Sequence, residues 1–286
     1  MRGFLECQPC FLRQALEAAR RVTDDEEVQA RVARRVLEIL ANLDYRLPPP
    51  LIAYSVYKAV GEVTGFTDPY REVKERSNRI ALDFYPWARE TVEMSDSPLD
   101  TAIRLAIAAN VVDFGIGTPF DLRGSLKTVL EKGLDVDESA DFKKALAAAE
   151  TLLYIGDNCG EIVFDKLFLE TVASLYPSLK RYFVVRGGPV INDVTVRDAG
   201  DVGMDTIAGV VTTGFAAPGV VLERSSGEFR DLFGRSDLVL AKGQGNYESL
   251  SAARNGQLFF LLRTKCPVTA RDIGVPVGSF VLKGFR

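Results

Sequence analysis

The chain has 286 residues with 35 basic and 39 acidic side chains, and its net charge of −4 argues against a nucleic-acid groove, which needs clustered lysine and arginine. It contains no histidine, which excludes Ser-His and Cys-His nucleophile pairs and His-ligated zinc, so any metal must be bound by oxygen or sulfur. No apolar run reaches the roughly 18 residues of a membrane span, and the four cysteines indicate a reducing, cytoplasmic compartment rather than a disulfide scaffold.

The first half of the chain carries apolar residues three and four positions apart, a spacing typical of amphipathic helices. It predicts an all-helical domain over residues 1–114, in keeping with a length that favours two domains. The predicted helices are Cys10–Arg21, Asp24–Leu43, a segment from Leu51 to Gly65, a segment from Asp68 to Trp87 and a segment from Ser97 to Val112.

The second half, residues 115–286, changes to short apolar runs separated by Gly-rich turns. After a predicted loop over 115–137 and a helix over Glu138–Glu150, these runs alternate with segments long enough for helices. This alternation predicts a three-layer α/β/α domain with a mainly parallel, Rossmann-like sheet covered on both faces. The predicted strands are Leu152–Ile155, Tyr182–Val185, Ile207–Thr212, Leu238–Ala241, Leu258–Leu262 and Phe280–Leu282.

Polar or Gly-rich segments follow four of the predicted strands. Because ligands of an open parallel sheet bind beyond the carboxyl ends of its strands, we expect these segments to meet at one rim. They are Gly156–Glu161, Arg186–Asp193, Thr213–Gly214 and Lys242–Asn246.

Each motif also has a purely structural interpretation. Asn158 followed by Glu161 matches a helix capping box, and Asp193 and Asn246 could be ordinary N-caps. Caps do not require Asp157 directly after a strand, however. Asp157, Asn158 and Asp193 together form a set of hard oxygen ligands that suits Mg²⁺ or Mn²⁺.

The remaining strand-end residues provide the other parts that phosphoryl transfer needs. Lys242 is predicted to bind a substrate phosphate, with further backbone amide donors from the Thr213-Gly214 turn and from the Gly-rich Lys242 loop. Arg186 and Asn246 are also predicted to bind the substrate. In a chain without histidine, Glu161 is the candidate general base.

Two motifs in the helical half have open interpretations. Asn110 and Asp113 share one face near the end of a predicted helix, so they either form a solvated helix end or close over the sheet rim and line the pocket. Cys7 and Cys10 form a CxxC, which is half a zinc site, a redox pair or a structural feature. Only folding could bring Cys159 and Cys266 to complete a four-ligand site.

These motifs together resemble the damage-control phosphatase family, long catalogued as domain of unknown function eighty-nine. The N-terminal CxxC resembles its largely prokaryotic branch, and the likeness covers nearly the whole chain in order. The matching segments are Ala109–Asp113, Gly156–Glu161, Arg186–Thr195 and Lys242–Asn246. The segment Gly214–Gly219 departs from relatives, which often carry an acid before the Pro-Gly pair.

The resemblance implies a phosphatase that hydrolyses phosphomonoesters of sugars or of damaged metabolites, supported by Mg²⁺, Mn²⁺, Co²⁺ or Ni²⁺. It implies that Asp157, Asn158 and Asp193 bind the metal and that Lys242 binds the substrate phosphate. It also implies that the site is lined by Asn110, Asp113 and Glu161.

Two alternatives and one mechanistic choice stay open. The chain could be an S-adenosylmethionine-dependent carboxyl methyltransferase, although its first turn is Asp-Asn rather than Gly-x-Gly and its second strand ends in Arg186. It could also be a non-enzymatic metal- or nucleotide-binding protein that uses the CxxC. For a phosphatase, the nucleophile is either water or Asp157 through an aspartyl-phosphate.

Overall fold

The computed structural model of the chain describes residues 1–109, 124, 129–253 and 257–285. Within these ranges a helical N-terminal part precedes a seven-stranded, mostly parallel sheet with helices on both faces, which confirms the predicted fold class. The N-terminal helices are α1 (Cys7–Arg20), α2 (Glu26–Ala41), α3 (Pro49–Thr64), α4 (Arg71–Glu93) and α5 (Pro98–Ala108).

The remaining elements build the α/β/α part. Their strands and helices alternate along the chain, as the short apolar runs predicted. They are β1 (Val136–Asp137), α6 (Ser139–Ala148), β2 (Thr151–Ile155), α7 (Glu161–Leu175), β3 (Lys180–Val185), α8 (Val196–Asp201), β4 (Gly209–Thr212), α9 (Gly227–Arg235), β5 (Leu238–Lys242), α10 (Gln244–Leu250), β6 (Leu258–Arg263), α11 (Pro267–Ile273) and β7 (Phe280–Phe285).

The strand order β1-β7-β6-β5-β2-β3-β4 contains a reversal between β2 and β5. From β2 the chain builds outward through β3 to β4, and it then returns to place β5 on the other side of β2. These pairs are parallel, whereas β6 and β7 are antiparallel. Ligands of open α/β sheets bind where the strand order reverses, so the carboxyl ends of β2 and β5 are the expected place of a site.

The hydrophobic core is divided between the two faces of the sheet and the first three helices. Helices α4 to α7 cover one face, and α9 to α11 cover the other. Leu152–Ile155 of β2 is completely buried for this reason, since a strand covered on both sides has no solvated face. Helices α1 to α3 have a separate core. The predicted domain boundary between 114 and 115 lies outside the described residues and stays a prediction.

Several sequence-based elements differ from the structure. Helix α4 does not end at Trp87 but continues past Pro86 to Glu93, because Ala88 and Val92 are buried in the core and outweigh the hydrogen bond that proline cannot donate. Strand β4 begins at Gly209, after a 3₁₀ turn. The two-residue strand β1 was not predicted, since it is too short to carry a period. Among the described residues, no helix has the length and apolar character of a membrane span.

Candidate active site

Two loops at the strand-order reversal lie side by side. The loop after β2 and the loop after β3 are joined by an antiparallel bridge between Asn158 and Asp193. Backbone hydrogen bonds flank this bridge, from Cys159 N–H to Asn192 O and from Val194 N–H to Asp157 O, both at 2.9 Å. The pairing brings together the three predicted metal-binding residues.

Asn158 connects two carboxylates of this group. Its Nδ2 donates to Asp157 Oδ2 and to Glu161 Oε1, each at 2.8 Å. The capping-box interpretation of Asn158 and Glu161 was therefore wrong: the N-cap of α7 is Gly160, which has φ +84° and no side chain to contribute.

The other two capping interpretations were also wrong. The N-cap of α8 is Thr195, whose capping box is completed by Asp198 rather than Asp193. Asn246 lies inside α10 and holds its surroundings together, with Nδ2 donating to Lys242 O at 2.7 Å and Oδ1 accepting from Val220 N–H at 3.0 Å.

Arg186 lies beneath the paired loops and is buried. Its Nε donates to Asp193 Oδ2 at 2.6 Å, and its Nη2 is 3.6 Å from Asp157 Oδ1. A third contact runs from Nη1 to Asn246 Oδ1 at 3.2 Å. Among the described residues Nη2 has no hydrogen-bond acceptor, so the guanidinium acts on Asp157 through charge, whereas it hydrogen-bonds to Asp193.

Lys242, the last residue of β5, is completely buried behind Glu161. Its ammonium group donates to Ala106 O at 2.7 Å, to Glu161 Oε2 at 3.2 Å and to Asp165 Oδ1 at 2.8 Å. The Tyr154 hydroxyl also donates to Asp165 Oδ1, at 2.7 Å. All three N–H groups of the lysine are thus engaged by the protein, and its predicted contact with a substrate phosphate stays a prediction.

Burial and like charge raise the pKa of several carboxyl groups here. Burial is the largest cause for Asp157, whose pKa lies well above its usual range, and the charges of Glu161 and Asp193 raise it further. Burial likewise raises the pKa of Asp193, against the lowering effect of Arg186. Burial raises the pKa of Asp165 to about 6, although Lys242 lowers it.

The formal charges of the cluster add to the effect of burial. Among the described side chains of the cluster, the carboxylates outnumber the cations by two, four against two. The members are Asp157, Glu161, Asp165 and Asp193 on one side and Arg186 and Lys242 on the other. A divalent cation would balance this excess.

A cavity of about 870 Å³ opens over the cluster. Asp157, Asn158, Glu161 and Asp193 all line it, so the predicted metal ligands and the candidate base face the same space. Cys7, Cys10 and Cys266 also line it, which brings the CxxC to the site that the strand ends form.

The residues present fit a hard divalent cation. Nowhere in the described ranges is a group of three or more His, Cys, Asp or Glu side chains arranged to hold a metal ion. The predicted set differs in kind, because it combines the carboxylates of Asp157 and Asp193 with the Asn158 amide. These donors are oxygens of the type that Mg²⁺ and Mn²⁺ prefer, provided that the Asn158 amide turns to present Oδ1 instead of Nδ2.

None of the described residues predicted to bind substrate lines this cavity; these are Arg186, Thr213, Gly214, Lys242 and Asn246. Thr213 N–H donates to Val185 O and Gly214 N–H to the Thr212 hydroxyl, so both predicted amide donors are already engaged, and neither residue lines the cavity. Asn110 and Asp113 lie outside the described residues. Their contribution to a substrate site stays a prediction.

The sequence analysis missed the positive side of the cavity. Arg263 is the last residue of β6, Lys265 follows that strand, and both side chains line the cavity. The charge of Lys265 lowers the pKa of both Asp157 and Asp193, although less than burial raises it, so Lys265 acts electrostatically on the carboxylates. The rule that located the other strand-end residues would have found Lys265 as well.

Comparisons with known proteins identify the family of the chain. A family model described as the damage-control phosphatase ARMT1-like domain matches residues 4–281. A damage-control phosphatase of Archaeoglobus fulgidus is 36% identical over 283 residues, with 97% of each chain covered. A damage-control phosphatase of Pyrococcus horikoshii is 33% identical over 278 residues, with 96% of each chain covered.

A solved structure gives the same result at the level of the fold. The crystal structure of a DUF89 family protein from Pyrococcus horikoshii superposes with a TM-score of 0.93 at 31% identity, and the match covers 100% of both chains. On the matched family model and these relatives, the chain belongs to the damage-control phosphatase family with the ARMT1-like domain.

Proposed function

We propose that this phosphatase hydrolyses phosphomonoesters of small cytoplasmic metabolites with a divalent metal ion held by Asp157, Asn158 and Asp193. The observation that carries the proposal is the buried cluster whose carboxylates exceed its cations by two and whose exposed edge faces a cavity. Mg²⁺, Mn²⁺, Co²⁺ and Ni²⁺ are the candidate ions. Free thiols at all four cysteines support the cytoplasmic location.

When bound, the metal would polarise the phosphoryl oxygen and lower the pKa of a bound water. The protein contributes to catalysis by positioning the reacting groups and by balancing their charge. Glu161 accepts a hydrogen bond on Oε2 from the buried Lys242, which gives the carboxylate a fixed orientation at the cavity that it lines. We assign it to accept a proton from the attacking water.

Substrate binding requires cations on the open side of the cavity. We propose Lys265 and Arg263 as the main phosphate contacts, because both line the cavity and Lys265 acts on the aspartates. Lys242 and Arg186 balance the carboxylate charge on the buried side of the cluster, and Asn246 accepts a hydrogen bond from Arg186. A volume of about 870 Å³ suits a small metabolite rather than a polymer.

A panel of phosphate esters assayed with each of the four metals tests the proposal. We expect hydrolysis of p-nitrophenyl phosphate and of sugar monophosphates, loss of activity with excess chelator, and recovery when metal is restored. Bis-p-nitrophenyl phosphate is the matched control, since a diester lacks the dianionic terminal phosphate. Full activity in chelator, or equal hydrolysis of the diester, would contradict the proposal. Labelled phosphate trapped on the protein would favour an aspartyl-phosphate at Asp157 over direct attack by water.

Two further measurements address the alternatives. A methyltransferase must bind S-adenosylmethionine, whereas we expect a calorimetric titration to give no heat. A binding protein that uses the CxxC would lose its function on replacement of Cys7 and Cys10 by serine, whereas we expect a phosphatase to retain turnover if that double variant folds.

Gly243→Ala is expected to damage the site beyond its effect on the backbone. Gly243 has φ +81°, and a Cβ there would collide with the Asp157 carboxylate. We expect hydrolysis to fall about a hundredfold, since small displacements of reacting groups have effects of that size. Gly274→Ala is the matched control, because Gly274 also has a positive φ (+86°) but open space around its Cβ position.

By urea denaturation, Gly274→Ala is expected to lose about 1–2 kcal/mol of unfolding free energy from its left-handed backbone. Gly243→Ala should lose about 1–3 kcal/mol from its backbone, because ψ 164° places Gly243 in a region used almost only by glycine. Only Gly243→Ala should lose activity. Equal activity in the two variants would show that Asp157 does not need its observed position.

A further inference from the structure

Helix α4 reaches both loops of the proposed metal site from the helical part of the chain. Asn78 Oδ1 accepts a hydrogen bond from the Gly160 backbone N–H at 2.6 Å. One turn earlier, Lys74 Nζ donates to Asp198 Oδ2 at 3.1 Å. Since residues four apart share one face of a helix, a single face of α4 makes both contacts.

The contact with Gly160 replaces a missing helix cap. Gly160 ends the loop that carries Asp157 and Asn158, and it is the N-cap of α7 without any side chain to cap it. The first N–H groups of a helix have no partner within that helix, and Asn78 supplies an acceptor from 82 positions away. Asn78 is only 5% exposed, so bulk water cannot readily take its place.

The contact with Asp198 anchors the second loop. Asp198 Oδ2 accepts from Thr195 N–H at 2.8 Å and from the Thr195 hydroxyl at 2.6 Å, two residues after Asp193. Lys74 also pairs with Asp68 at 3.2 Å. The charged side chains of Lys74, Asp68 and Asp198 are all less than a tenth exposed, so none of them can leave the group without stranding a buried charge.

We infer that Asn78 is a positioning residue that holds Asp157 and Asn158 in the geometry required for metal binding, while Lys74 anchors the neighbouring loop through Asp198. This inference rests on the proposed function. The two loops are hydrogen-bonded to each other through the Asn158–Asp193 bridge, so α4 fixes the pair from its outer edges. Groups that orient metal ligands commonly change metal affinity 10- to 100-fold when they are removed.

The test compares Asn78→Leu, which has similar size but no acceptor, with Asn78→Asp, which keeps an acceptor oxygen. The dissociation constant for Mn²⁺ is measured by isothermal titration calorimetry on the full chain. We expect Asn78→Leu to weaken Mn²⁺ binding about 10- to 100-fold, and Asn78→Asp to bind no more than about threefold more weakly than the wild type.

Val92→Ala is the matched control for a merely structural effect. Val92 is buried on the same helix, about 21 Å along its axis from Asn78 at 1.5 Å per residue. Its truncation creates a core cavity and lowers the melting temperature, but we expect the Mn²⁺ dissociation constant of the folded protein to be unchanged. If Asn78→Leu does not fold, Asn78→Ala is measured in the same way.

The possible outcomes distinguish failure of the positioning role of Asn78 from failure of the proposed metal site. A wild-type chain that binds no Mn²⁺ would overturn both the metal site and the positioning role. A wild-type chain that binds Mn²⁺, together with a folded Asn78→Leu or Asn78→Ala variant of the same affinity, would overturn the positioning role alone. Equal weakening in Val92→Ala would also overturn it.

Discussion

Replacing Asp157 by asparagine is expected to lower the rate of metal-dependent p-nitrophenyl phosphate hydrolysis by at least about a thousandfold, while the protein remains folded. The substitution removes a charged ligand from the proposed metal site. It also removes a buried carboxylate that is repelled by Glu161 and Asp193. In metal-free buffer at pH 7 we therefore expect the free energy of unfolding, measured with urea, to be unchanged or higher.

Asp193→Asn is expected to be equally inactive but less stable. Asp193 accepts a charge-assisted hydrogen bond from the buried Arg186 at 2.6 Å, whereas Asp157 is 3.6 Å from that guanidinium. Loss of the charged acceptor should cost about 1.5–3 kcal/mol of unfolding free energy. The two variants would then be equally inactive but differ in stability, because the contacts of the two aspartates differ.

Asp237→Asn is the matched control for both variants. Asp237 Oδ2 accepts from the backbone N–H groups of Glu150 and Thr151, at the start of β2 and at the opposite end of the sheet from Asp157. We expect its activity to remain near that of the wild type. A folded Asp157→Asn or Asp193→Asn variant with wild-type activity would refute the assignment of the metal ligands.

The second large effect is expected at Lys242. Lys242→Met should destabilise the protein by about 3–5 kcal/mol in urea denaturation, because Glu161 and Asp165 would be left as buried carboxylates without their cation. Lys143→Met is the control for a partly exposed pair. Lys143 is 37% exposed and pairs with Asp100, so we expect a loss below about 1 kcal/mol.

The loss of unfolding free energy in Lys242→Met is expected to depend on pH in a defined direction. The pKa of Asp165 is already raised to about 6, mainly by burial, and removal of the lysine raises it further. When the pKa of a carboxyl group is higher in the folded than in the unfolded protein, the protein becomes less stable as the pH rises between those two values. The unfolding free energy lost in Lys242→Met should therefore become smaller as the pH falls from 7 towards 4. Adding Asp165→Asn to Lys242→Met should restore part of the stability at pH 7.

The opposite result at Lys242 would be equally informative. A variant that keeps its stability but needs far more substrate for half-maximal rate would mean that the lysine contacts the substrate phosphate. The resemblance to the phosphatase family implies that role, whereas the hydrogen bonds of Lys242 favour a role in charge balance.

The sequence was sufficient to predict the sheet and the loops that meet at its rim. Parallel strands buried on both faces give continuous apolar runs, and polar residues directly after them mark the carboxyl ends, as with Asp157 after β2. The geometric rule for parallel sheets then brings Asp157 and Asp193 to one edge, although they are 36 positions apart.

The sequence was not sufficient where one helix face meets one loop. Nothing in the spacing of α4 indicates that Asn78 caps a helix 82 positions later, or that Lys242 reaches Asp165 rather than the cavity. Both contacts depend on how the helices and the sheet pack on each other, and a single contact between layers leaves no periodic pattern in the sequence. The capping interpretations of Asn158 and Asp193 were wrong for the same reason, since pairing between their loops outweighed their local preference. That of Asn246 was wrong because the residue lies inside α10.

The most direct test of the proposed site is the position of a bound Mn²⁺ ion, located by anomalous scattering from a crystal of the wild-type protein soaked in MnCl₂. We predict one strong peak within bonding distance of side-chain oxygens of Asp157, Asn158 and Asp193, absent from Asp157→Asn crystals. A peak at Cys7, Cys10 and Cys266 instead, or no peak in crystals of a preparation that hydrolyses phosphomonoesters with Mn²⁺, would contradict this assignment.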